Sequence, residues 1–148
     1  PGLRAPSEHR AIFNAHFAIA PPAGTPLLTG VVGGMTEWLF SFPDRLSVTI
    51  SAADDLIDEG RDDLGVAIWR EVASIAGLDP ARQPPTRLVK EKRATFSATP
   101  AQDALRPDAS TQWRNLLLAG DWTQTGLPAT IEGAIRSGER AAALARRA

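Results

Sequence analysis

At 148 residues the chain has room for one domain, or at most two small ones, with a core of its own. A hydrophobic fraction of 43% lies in the ordinary globular range, and a formal net charge of −1 argues against a nucleic-acid footprint. Absence of cysteine excludes disulfides, thiolate metal sites and a cysteine nucleophile, and no run is long or apolar enough for a membrane span or a signal-peptide core. The chain opens at Pro1 without a Met, so a piece of something longer is expected.

Residues 11–19 read as a strand, with Ile12, Phe13, Phe17 and Ile19 favouring extended backbone and Pro21-Pro22 stopping the run. His16 lies inside it, either as a satisfied structural residue or as a polar group facing a cavity. Residues 27–32 give a second strand, followed by Gly33-Gly34; Gly30, Gly33 and Gly34 lack dinucleotide-fingerprint spacing, and no helix follows. Residues 37–42 and 46–51 around Pro43-Asp44-Arg45 read as a hairpin. Trp38, Phe40 and Phe42 share one face of its first strand, and Leu46, Val48 and Ile50 one face of its second. Packing on a core is the favoured reading of both rows; a greasy substrate wall is the alternative.

Residues 59–76 carry the clearest helical pattern, with Leu64, Ile68, Val72 and Ile75 in a stripe, Asp62 and Asp63 near the start, and Gly77 then Pro80 as a stop. Its acidic start reads as a solvated end, and no metal site is expected anywhere. After the linker Gln83-Pro84-Pro85, residues 86–96 read as an edge strand guarded by the charges of Lys90, Glu91, Lys92 and Arg93.

The last third is organised around residues 115–147. Leu116 to Ala119 reads as a buried strand ending at Gly120-Asp121, and a helix follows from Thr130. Ile131, Ala134, Ile135, Gly138, Ala142 and Ala145 would form its smooth face. Glu132 near the start and Arg146 and Arg147 near the end suit the helix dipole, and Glu132 stands four residues before Arg136, the better order for an ion pair. The bland reading is an ordinary strand-helix unit with Asp121 as a turn residue. The functional one is a seat for an anionic or hydroxyl-rich ligand, built from Asp121 and the unbonded amides of Ala129, Thr130 and Ile131.

The stretch LLLAGDWTQTGLPATIEGAIRSGERAA resembles the C-terminal flavin-binding segment of the FAD-dependent amine oxidase and phytoene desaturase superfamily. Its TGLPAT form is most similar to the bacterial squalene-associated branch. The resemblance implies that Gly120 and Asp121 form the turn facing the ribityl and phosphate region. It implies that the amides of Ala129, Thr130 and Ile131 approach the N1–O2 edge of the flavin, with Ala134 in the helix signature Glu132-Gly133-Ala134 and Ser137-Gly138 following. A helix N-terminus there would stabilise an anionic reduced ring. The segment from Ala94 to Gln102, with Arg106-Pro107, also resembles that branch, and it marks Thr95, Thr99 and Gln102 as polar groups near the ring.

The implied fold is α+β (mixed α/β): an antiparallel substrate-domain sheet with helices over residues 1–106, and the terminal strand and helix of a Rossmann-like FAD domain over 107–148. No glycine fingerprint for the FAD pyrophosphate occurs, so the N-terminal half of the FAD domain is expected elsewhere and the chain alone is expected to bind FAD weakly. The resemblance implies hydride chemistry on a long apolar isoprenoid such as hydroxysqualene, converted to squalene in hopanoid-precursor synthesis, in the cytoplasm and with room for peripheral membrane contact. His16 and Glu37 are the titratable candidates for acid–base work. Two rivals stay open: an amine oxidase proper, which the absence of Tyr disfavours, and a non-enzymatic α+β binding module.

Overall fold

The computed structural model describes residues 2–56 and 60–147. It divides into two compact units, residues 10–94 and residues 1–9 with 95–148, and mixes sheet and helix as the sequence implies. Strands β1 (His9–Phe17), β2 (Leu28–Gly30), β3 (Trp38–Phe42), β4 (Arg45–Ile50) and β5 (Thr86–Phe96) form one sheet in the order β2-β3-β4-β1-β5. The pairings β2–β3, β3–β4 and β4–β1 are antiparallel. Phe42 faces Arg45 across the tight Pro43-Asp44 turn, so the hairpin stands where expected.

One face of this sheet is closed by α1 (Arg61–Ala76). Phe13, Ala15 and Phe17 of β1 and Leu46, Val48 and Ile50 of β4 meet Leu64, Ile68, Trp69, Val72 and Ala73 of the helix. Each large side chain so buried contributes about 1.5–3 kcal/mol, and Phe17 packs on Trp69 with ring centroids 5.2 Å apart. The packed stripe is centred on Val72, which leaves Ile75 on its rim and 38% exposed, contrary to expectation. Gly77 ends the helix in the left-handed conformation (φ 67°) and donates its N–H to the Ala73 carbonyl, as its glycine promised. The expected start at Glu59 lies outside the described residues; the helix as described begins at Arg61 after Gly60.

Strand parity in β3 corrects the reading of its aromatic row. Leu39 pairs with Val48 and Ser41 with Leu46, so Leu39 and Ser41 face the core. Trp38, Phe40 and Phe42 are therefore turned to the opposite face, because side chains alternate strictly along a strand.

In the other unit, α2 (Pro100–Asp103) is a short turn of helix that the sequence pattern did not announce. Thr99 caps it by accepting from the Gln102 N–H at 3.3 Å. The Gln102 side-chain oxygen accepts from the Ser7 and Glu8 amides at 2.8 and 3.2 Å, tying down the N-terminal segment. The expected buried strand at 116–119 is instead one bridge, Ser110 to Leu117, with Leu116 42% exposed. A buried strand needs partners on both sides, and among the described residues this run has one. Helix α3 (Ile131–Ala145) forms as expected, with the Arg136 Nε donating to Glu132 Oε1 at 2.7 Å. Its packed positions are Gly133 and Ser137, whereas Ile131 (83%) and Ile135 (53%) of the anticipated smooth face are exposed. Arg146 is the C-cap and Arg147 follows it, one step beyond the last turn.

Candidate functional site

The corner between the 116–119 run and α3 is built from a closed ring of hydrogen bonds. The Gly120 N–H donates to Ser137 Oγ at 3.0 Å, the Thr123 hydroxyl donates to the Gly120 carbonyl at 2.8 Å, and the Thr123 and Ser137 hydroxyls lie 2.6 Å apart. With the Ser137 hydroxyl donating to Thr123 Oγ, every member both gives and receives, so the three polarise one another. Both hydroxyl residues are 2% exposed, which excludes water as a competitor. Only glycine suits position 120: φ is +143°, and a Cβ there would come within 2.5 Å of the Trp122 indole nitrogen.

Arg106 braces this corner. Its side chain is 3% exposed; Nη1 donates to Asp103 Oδ1 at 3.1 Å, and Nη2 donates to the Asp121 carbonyl at 3.1 Å and Thr125 Oγ at 2.9 Å. The guanidinium lies 5.0 Å from the Phe96 ring centroid. Its Nε is buried without a hydrogen-bond partner among the described residues. A hollow of about 520 Å³ opens beside it, walled by Arg106, Phe96, Thr95, Thr99, Pro128 and Ala129 among others. Buried arginines need partners on several sides, and these come from positions up to 19 residues away. That is why Arg106 does not stand out in the sequence, although the Arg106-Pro107 pair belongs to the resemblance.

At the mouth of α3, Thr130 is the N-cap, extended at φ −139° and ψ 161°, with its Oγ accepting from the Gly133 N–H at 3.1 Å. The N–H groups of Ala129, Thr130, Ile131 and Glu132 have no acceptor among the described residues. Ala129 lines the hollow; Gly120, Asp121, Thr130, Ile131 and Ala134 are not among its lining residues. Gly120, Asp121 and Ala134 are half-buried, and Thr130 and Ile131 exposed. Thr95 and Thr99 line the same hollow, while Gln102 is spent on the Ser7 and Glu8 amides.

The two acid–base candidates lie in the sheet unit. His16 Nδ1 sits 2.9 Å from Ser47 Oγ on the sheet face opposite α1. Partial burial, and then the charges of Arg45 and Arg87, hold its pKa below the usual histidine value, so the imidazole is neutral at neutral pH. Glu37 accepts from the Ser51 N–H through Oε2 at 2.8 Å and closes the strand end. No cluster among the described residues has the ligands for a metal ion.

The family described as flavin containing amine oxidoreductase matches residues 7–145. Hydroxysqualene dehydroxylase of Rhodopseudomonas palustris is 65% identical over 144 residues, covering 97% of this chain and 34% of that protein. The protein of that name from Sinorhizobium fredii is 57% identical over 145 residues, covering 98% of this chain and 34% of its own length. A 15-cis-phytoene desaturase of Synechococcus elongatus is 32% identical over 104 residues, 66% of this chain and 22% of that protein. The chain thus spans about a third of the length of the curated relatives it matches. Matched over residues 7–145, the chain belongs to the flavin containing amine oxidoreductase family.

Proposed function

We propose that the chain supplies the closing corner of the flavin site and part of the substrate domain in an FAD-dependent oxidoreductase acting on a long hydroxylated isoprenoid. The observation that carries this reading is a helix mouth whose first amides are unspent, fixed by the Gly120–Thr123–Ser137 ring beside a hollow. Such amides suit a group that gains negative charge on reduction. The partnerless Nε of buried Arg106, at the wall of that hollow, is a second donor left over for a ligand.

Ala129, Thr130 and Ile131 would hold the flavin through their N–H groups, Asp121 would accept from its ribityl hydroxyls, and Gly120 and Ala134 would let the backbone come close. Residues 107–148 would complete the FAD domain and residues 1–106 contribute to the substrate domain. A bound flavin supplies hydride chemistry. The ADP half needs a phosphate cradle that this chain's glycines do not form. Replacing an alcohol's hydroxyl by hydrogen consumes one hydride and one proton and releases water. The names of the dehydroxylase relatives favour this over amine oxidation. We place the reaction in the cytoplasm, in contact with a membrane surface where such a substrate dissolves. No described helix is long and apolar enough to cross a membrane.

The test uses the longer protein purified with its flavin. Wild type should be yellow with FAD and should convert hydroxysqualene to squalene, while Asp121→Ala should carry less flavin per protein. A colourless wild type would refute the flavin reading, and oxidation of amines in place of the alcohol would move the protein to the amine oxidases proper.

A further inference from the structure

On the sheet face turned away from α1, two neighbouring rungs grade from apolar to polar. One runs Leu28, Phe40, Ser47, His16 across β2, β3, β4 and β1, and the next runs Gly30, Trp38, Thr49, Asn14. Leu28 is 49% and Trp38 45% exposed, and the Trp38 indole lies over Gly30, where a Cβ would stand 3.4 Å from the ring. Phe40 and Phe42 stack at 6.4 Å and extend the apolar half. The polar half is paired within itself: His16 Nδ1 to Ser47 Oγ at 2.9 Å, and the Thr49 hydroxyl donating to Asn14 Oδ1 at 2.7 Å.

A sheet face kept for water carries charged and polar residues at its outward positions. None of the positions on these two rungs has a carboxylate, an ammonium or a guanidinium. Charge begins at the margins. Arg45 sits 4.2 Å from the Phe42 ring and pairs with Asp44 at 3.0 Å, and Arg87 on β5 is exposed. The face therefore complements an uncharged ligand. It also keeps one donor in hand and, in one tautomer of His16, a second. Asn14 Nδ2 has no partner among the described residues, and a Ser47 hydroxyl that donates to His16 Nδ1 leaves Nε2–H free.

We propose that this face seats a long uncharged isoprenoid bearing one hydroxyl, its hydrocarbon on Leu28, Trp38 and Phe40 and its oxygen accepting from the Asn14 amide and the His16 ring. The choice of ligand rests on the oxidoreductase reading above; the geometry of the strip does not. A hydrocarbon of the same length would cover both donors and satisfy neither, which should cost it about ten- to a hundredfold in affinity against the alcohol.

The experiment measures dissociation constants of hydroxysqualene and squalene, in identical detergent micelles, for the longer flavin-loaded protein and for its Asn14→Ala, His16→Phe and Ser47→Ala variants. Wild type should prefer the alcohol by about tenfold or more. The variants should erase that preference by weakening the alcohol alone, and squalene affinity and circular dichroism should stay put. Ser47→Ala, the mildest change, guards against a misfolded His16→Phe. A wild type without preference, variants that keep it, or variants that weaken both ligands alike would each overturn the proposal. Turnover is scored separately: a wild type that binds the alcohol selectively but does not reduce it contradicts the redox reading and leaves this one standing.

Discussion

Ser137 shows how much of the corner hangs on one hydroxyl. Replacing it by alanine orphans the Gly120 N–H and opens the ring through Thr123, all in a buried place. Ser137→Ala should cost about 1–3 kcal/mol in urea denaturation, whereas Ser137→Thr should lose less if the extra methyl fits. An unchanged midpoint for the alanine variant would mean that the ring is not holding the turn. His16 gives a pH signature with a definite sign. Burial, then Arg45 and Arg87, lowers its pKa in the folded state below the unfolded 6.5, so the unfolded chain binds more protons. The native state therefore holds its full stability above pH 6.5 and loses part of it as pH falls below that value. His16→Gln should flatten the decline in melting temperature between about pH 7 and pH 5; a parallel decline in both proteins would assign it to other groups. Neither role could be read beforehand. Serine in a Ser-Gly pair looks like surface, and a histidine among apolar neighbours shows its partner only once the β1–β4 register sets Ser47 opposite it.

At the scale of elements, the hairpin, β5, α1 and α3 were legible because each repeats one period long enough to outvote local exceptions. What the period did not say was which side faces inward. In β3 both parities carry bulk, and the pairing of Leu39 with Val48 decides between them. In α3 the apolar stripe at Ile131 and Ile135 lost to Gly133 and Ser137, since the hydrogen bonds of Ser137 fix the helix's rotation. The 116–119 run failed as a strand for lack of partners, a property of the surroundings and not of its own residues. Helix entry, by contrast, is local. Thr130 caps Gly133 at 3.1 Å, so Thr130→Ala should destabilise α3 by about 1 kcal/mol and speed amide exchange in its first turn. Thr130→Ser should behave like the wild type, and equal exchange in all three would argue that packing alone sets the helix start.

For the whole molecule, the two units divide the labour: residues 10–94 present a sheet with one closed and one open face, and residues 1–9 with 95–148 present the braced helix mouth. The resemblance singled out Gly120, Asp121 and Ala129, of which Ala129 lines the hollow, while Arg106, the main brace of the corner, emerged only with the fold. In the proposed function the bare amides at the start of α3 face a flavin. Ile131 occupies the first helical position, where proline keeps the helix but removes the N–H. Thr130 before it is already extended, as a residue preceding proline must be. The decisive measurement is the two-electron reduction potential of the flavin in the longer protein carrying Ile131→Pro, with Ile131→Ala as the control that retains the amide. The proline variant should show a more negative potential and weaker flavin retention, at unchanged helix content. A potential and occupancy equal to those of the alanine control would contradict it.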